Sequence, residues 1–88
     1  MREYQGHRSW NAWNVSLYIS NEYHLYDDIR HTYRAERRNG HSHNRAVRYC
    51  VDDFMRCYGG AHTPDGAVYN RLCVKLAITD ICEDFRDE

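Results

Sequence analysis

His43-Asn44-Arg45-Ala46-Val47-Arg48-Tyr49-Cys50-Val51-Asp52-Asp53-Phe54-Met55-Arg56-Cys57-Tyr58 is the stretch on which the fold turns. Val47, Cys50, Val51, Phe54 and Tyr58 recur at three- and four-residue steps, which places them on one face of a helix and leaves the charged residues on the other. Gly59-Gly60 stops that helix.

Working outward, the joints on either side are short. Asn39-Gly40 ends a preceding helix over about 21–38, whose inner face carries Tyr26, Ile29 and Tyr33 and whose start has Ser20 and Asn21 as cap candidates. Before it, residues 10–20 set Trp10, Trp13, Asn14, Leu17 and Tyr18 on one side, with Ser9 or Asn11 as N-cap. After Gly60, Thr63-Pro64-Asp65 reads as a cap, a proline at the first helical position and a first-turn acid. It predicts a fourth helix from there to about residue 86 through Val68, Leu72, Leu76, Ile81 and Phe85. The reading is a single all-α domain over residues 1–88, a bundle of about four helices around Trp13, Leu17, Ile29, Val47, Phe54, Leu72 and Leu76.

Eighty-eight residues leave no room for a second folded unit, and an apolar share of 42% is enough to build a core. No apolar stretch is long enough to span a membrane, and the first residues carry no apolar export segment, so a cytoplasmic protein is expected. Cys50, Cys57, Cys73 and Cys82 are then expected as free thiols. Cys50 and Cys57 on one helix would lie about 10.5 Å apart along its axis, beyond the reach of a disulfide, and Cys73 and Cys82 farther still. Cys50 and Cys73 read as small core residues.

The net charge of −1 is unlike that of a protein resident on nucleic acid, but the charge is divided. Residues 1–29 carry −2, residues 30–48 carry +5 and residues 49–88 carry −4. On the second helix Arg30, Arg34 and Arg37 form a stripe beside the buried one, with Tyr23 within it. Arg38, Arg45 and Arg48 extend it. Arginines interleaved with tyrosine suit phosphates and bases; the same stripe also suits an acidic protein partner, or a solvated face that pairs with the acids of later helices. At the other end Asp80, Glu83, Asp84 and Asp87 recur at i, i+3, i+4 and i+7, an acidic row able to imitate nucleic-acid phosphates toward a basic channel. The sequence favours this acidic row slightly as the binding surface, with Tyr4, Tyr23 and Tyr69 as exposed aromatics to test next.

Catalysis finds little support: Lys75 is the single lysine, the serines lack a nucleophile-elbow context, and no glycine-rich phosphate loop follows a strand. No enzyme and no cofactor are expected. His24, Asp28 and His31 share a helix face and form the candidate metal set, although two turns separate the histidines. His41-x-His43 with Cys57 or His62 is a thinner one, since no Cys-x-x-Cys pair anchors it.

Residues 4–26, through Trp13-Asn14-Val15, Leu17, Ile19, Asn21 and Leu25-Tyr26, resemble the opening of a family of small uncharacterised phage and plasmid accessory proteins. That opening runs Tyr-x-Gly, then Trp-Asn-Val-x-Leu-aromatic-Ile-x-Asn-acid-x-x-Leu-Tyr. Such proteins are often encoded near antirestriction genes, and the resemblance assigns no catalytic residues. It implies a protein working in the cytoplasm of a bacterial host, blocking a defence complex such as a CRISPR effector or a restriction enzyme by stoichiometric binding. A nucleic-acid-binding regulator using the basic stripe is the alternative. Within the motif, Trp13, Leu17 and Tyr18 read as core, Asn21 and Glu22 as the start of the second helix, and Asn14 as a buried hydrogen-bonding partner of a turn.

Overall fold

The computed structural model describes residues 9–86, and it is an all-α bundle of four helices. They are α1 (Trp10–Asn21), α2 (Tyr23–Arg38), α3 (His43–Tyr58) and α4 (Arg71–Phe85). α4 packs between α1 and α3, and α2 lies against α3. No described helix is long and apolar enough to cross a membrane.

The helix starts follow from their caps. Ser9 Oγ accepts from the Ala12 N–H at 3.1 Å and Ser42 Oγ from the Arg45 N–H at 3.2 Å, each satisfying a donor that has no partner inside the helix. Asn11 has another task. Its side-chain amide accepts from the Val68 N–H at 2.8 Å and donates to the Val68 carbonyl at 2.9 Å, standing in for a paired peptide group. Between α1 and α2 a single residue, Glu22, leaves helical geometry. Asn21 ends α1, and the Glu22 side chain makes no cap bond, so the expected capped start of α2 is replaced by a backbone turn.

The largest departure from the sequence reading lies at residues 59–70. α4 does not begin at Thr63; Asn70 is its cap, accepting from the Cys73 N–H at 2.9 Å. The Thr63-Pro64-Asp65 signal opens a tight turn instead, because Gly66 follows with φ +96°, a conformation that favours glycine and interrupts a helix. The chain doubles back through an isolated His62–Val68 antiparallel bridge, with Thr63 N–H donating to the Ala67 carbonyl at 2.7 Å and Tyr69 N–H to that of Ala61 at 2.9 Å. Gly59 is needed where this loop leaves α3: a Cβ there would stand 2.5 Å from the Met55 carbonyl oxygen.

Ile29, Val47 and Phe54 are buried as expected, but four proposed core residues are not. Trp13 and Leu17 are only half-buried; Leu72 is 58% exposed and Leu76 40%. At about 100° per residue, Leu72 and Leu76 fall on the side of α4 opposite the face fixed by Cys73, Val74, Ala77, Ile78, Ile81, Cys82 and Phe85. On α1 the inner face is Ala12, Asn14, Val15 and Ile19. Asn14 meets the turn, as its polarity within an apolar run implies. Thr63 Oγ1 donates to its Oδ1 at 2.6 Å, and its Nδ2 donates to Asp65 Oδ2 at 2.9 Å.

All four cysteines are free thiols: Cys50, Cys73 and Cys82 are buried and Cys57 is exposed. The neighbouring Cys82, together with burial, pushes the Cys50 thiol well up, which holds it protonated and unreactive. Alkylation of the native protein is therefore expected to modify one thiol, Cys57, and denaturation to release all four. Modification of two or more at equal rates without denaturant would contradict this packing.

Candidate functional site

Two cross-links fix how α3 and α4 face each other. Arg71, at the start of α4, pairs with Asp52 toward the end of α3, and His43, at the start of α3, lies 3.7 Å from Glu83 near the end of α4. The two helices are therefore antiparallel. Between them runs a groove of about 740 Å³ with Val47 and Val51 on its floor. Its α4 wall is the four-step row Arg71, Lys75, Thr79 and Glu83, and Arg48 stands on the α3 wall.

The groove ends at a polar cluster joining three helices. Tyr33 Oη and His43 Nδ1 share a buried 2.7 Å hydrogen bond whose direction follows the imidazole tautomer. With Nε2–H turned to Glu83, the phenol is the donor. Glu83 also accepts from Arg86 at 3.5 Å. Beyond this cluster lies a second, shallower depression of about 170 Å³, bordered by Arg34, Arg37, Arg38 and Arg86 above Tyr33 and Phe85.

The basic stripe is thus a surface around two concavities. Arg34, Arg37, Arg38, Arg45 and Arg48 are exposed and Arg30 is half-buried. Arg37 donates to the His41 carbonyl at 3.3 Å. Arg38, Arg45, Arg48 and Lys75 make no ion pair among the described residues. They do not pair with the acids of later helices; Arg71 pairs back to Asp52 of α3, and Arg56 with Asp53 on its own helix.

Of the acidic row, Asp80, Glu83 and Asp84 are exposed, and Glu83 is also turned to His43 and Arg86. Asp87 lies outside the described residues, as does Tyr4. Tyr23 is 73% exposed. Tyr69 must be corrected: it is 6% exposed, because it alternates with the half-buried Val68 in the returning loop and meets Phe54 edge-on at 5.3 Å. The metal set also fails to assemble: among the described residues no group of three His, Cys, Asp or Glu is placed to hold an ion, and His31 pairs with Asp27 at 3.5 Å. The thinner His41-x-His43 set goes the same way, its histidines being committed to Glu36 and to Tyr33 with Glu83.

Two features had no usable sequence signal. Lys75 gains its place only through the α3–α4 register, and Tyr33 and His43 meet across a helical turn that periodicity does not orient. His43 follows a serine cap directly, which marks it as a helix start and nothing more.

Burial raises the Tyr33 pKa above its ordinary value, and nearby Arg37 and Arg86 only partly offset this; burial likewise raises Tyr69. A raised folded-state pKa contributes stability that is complete below the unfolded value near 10 and is lost as pH climbs through the folded value. Urea unfolding is expected to show a falling free energy above about pH 10, with a smaller fall in Tyr33→Phe. An equal fall in the variant would place the titration elsewhere.

No curated protein and no solved structure matches the chain. One family model covers its whole length, residues 1–88, and the chain belongs to that family, the Family of unknown function (DUF7249).

Proposed function

We propose that this protein is a stoichiometric inhibitor of a bacterial defence complex, of the CRISPR-effector or restriction-enzyme kind, working in the cytoplasm of the host cell through its basic face. One observation carries the choice of face: Arg38, Arg45, Arg48 and Lys75 are exposed and without a carboxylate partner among the described residues, while Glu83 in the acidic row is engaged. Unneutralised cations grouped on one side favour and steer an acidic partner surface. The resemblance of residues 4–26 to phage and plasmid accessory proteins supports the class of target. Binding rather than turnover accounts for the chemistry on view, since the polar groups form a structural relay and a charged surface.

The test is phage plating or plasmid transformation on cells with an active defence system, with and without the chain. Expression is expected to raise the efficiency, and Arg45→Glu with Arg48→Glu to abolish the rise, since reversing two interface charges costs several kcal/mol, about 100-fold or more in affinity. Loss with Asp80→Lys and Asp84→Lys instead would move the function to the acidic row.

Nucleic-acid binding is the second reading, and Tyr49 favours it. This ring is exposed, lies 5.2 Å from the His41 ring and shares the outer face of α3 with Arg45 and Arg48, a setting for base stacking. Binding to DNA or RNA that falls steeply with salt would establish it, because phosphate contacts release counterions.

A further inference from the structure

We propose that the α3–α4 groove is the docking site for an acidic, amphipathic peptide segment of the partner protein. Carboxylates of that segment meet Arg48 and Lys75, and an apolar side chain meets Leu72 and Leu76 on the crest of α4 beside Lys75. This rests on the reading of the protein as an inhibitor that binds another protein, and it names the chemistry of the partner.

The pairs Arg71–Asp52 and His43–Glu83 close the two ends of the groove, and the register between them brings Arg48 and Lys75 to the same level on opposite walls. Neither has a carboxylate partner among the described residues, so two unpaired like charges line the same stretch of groove. Their mutual repulsion is relieved when an anionic group enters between them. Val47 and Val51 line the groove but are buried, 8% and 2% exposed, so the apolar surface open to an aliphatic side chain lies mainly on its α4 side. Leu72 and Leu76, 58% and 40% exposed on the crest of α4 beside Lys75, widen the apolar contact available to a segment laid along the groove.

The far end selects against a nucleic acid. Glu83 and Thr79 line that part of the groove, and Asp52 stands at the other rim. A nucleic-acid backbone carries negative charge along its whole length, about one unit per 1.7 Å of duplex axis, and would set phosphates against Glu83. A peptide can confine its carboxylates to the Arg48–Lys75 level and turn apolar or hydroxyl side chains to Glu83. The groove thus fits a helix-in-groove mode of recognition, with charge fixing the direction of the segment.

The experiment is an NMR titration of the full chain, labelled at amide and valine methyl positions, with two probes at physiological salt. One probe is a synthetic helical peptide with leucines on one face flanked by glutamates; the other is a short DNA duplex. Saturating shifts at Val47, Val51 and Lys75 are expected with the peptide and not with the duplex. Arg48→Glu with Lys75→Glu is expected to weaken the peptide at least tenfold, and the milder Arg48→Gln with Lys75→Gln several-fold. Arg56→Glu, a charge reversal on α3 outside both the groove and the basic face, is expected to alter it less than threefold. Absence of saturating shifts, shifts centred elsewhere, tighter binding of the duplex at the same residues, or a self-associated dimer that occupies the groove would each overturn the proposal. Defence inhibition that survives Arg48→Glu with Lys75→Glu would overturn the groove and leave the inhibitor reading standing. Peptide binding by a chain that leaves every defence system active would uphold the groove and overturn that reading.

Discussion

Phe54→Ala is expected to lower the unfolding free energy by about 3–5 kcal/mol, close to the whole stability of a domain this small. Phe54 is 4% exposed, and its ring meets Tyr58 at 4.9 Å and Tyr69 at 5.3 Å. Truncation therefore removes buried apolar surface and also withdraws the contact that holds the returning loop onto α3, so the site collapses poorly and the cavity cost adds to the transfer cost. Leu72→Ala is the matched comparison. With more than half of its surface already in water, its loss is expected to cost below about 1 kcal/mol. Chemical denaturation of both variants measures the contrast, and equal costs would show that the core is not organised around Phe54.

That contrast also shows where the sequence was legible. α3 could be read over most of its length because Val47, Cys50, Val51 and Phe54 keep one helical phase before a glycine stop, whereas Tyr58, placed on the same face by its spacing, is 37% exposed at the helix end. Leu72 and Leu76 misled because leucines four apart look like an inner stripe, and only the smaller Cys73 and Ala77, where α4 is buried, reveal the true phase. Thr63-Pro64-Asp65 is written alike for a helix start and for a turn; Gly66 decides between them through its positive φ, and the next cap, Asn70, is less conspicuous. Of the candidate site, the cations of residues 34–48 were readable as surface, since periodicity alone assigns a residue to the inner or outer face. Their relation to Lys75, and the bond between Tyr33 and His43, depend on how one helix is rotated against another. That rotation is set by packing between residues far apart in the chain, which no local pattern records.

Asn14 was legible as a residue that needed a partner, and the partner it found makes a sharp test. Asn14 is 1% exposed, accepts from Thr63 Oγ1 and donates to Asp65 Oδ2, while Thr63 Oγ1 in turn accepts from the Ala67 N–H at 3.0 Å. The asparagine amide is suited to this place because its oxygen accepts while its NH2 group donates. Asn14→Asp keeps the acceptor for Thr63 but replaces the donor with an oxygen facing the Asp65 carboxylate. The expected cost at pH 7 is about 3 kcal/mol, that of a buried charge facing a like charge. Burial and Asp65 both raise the folded-state pKa of the new carboxyl, so the deficit is smallest where it is protonated, near pH 4, and grows as pH rises through the raised value. Adding Asp65→Asn restores a donor opposite the new carboxylate, and the double variant is expected to recover at least about 1 kcal/mol over the sum of the single effects. Simple additivity of the two substitutions, or a deficit that does not grow with pH, would mean that the turn at residues 63–67 is held onto α1 by apolar contact rather than by this hydrogen-bonded pair.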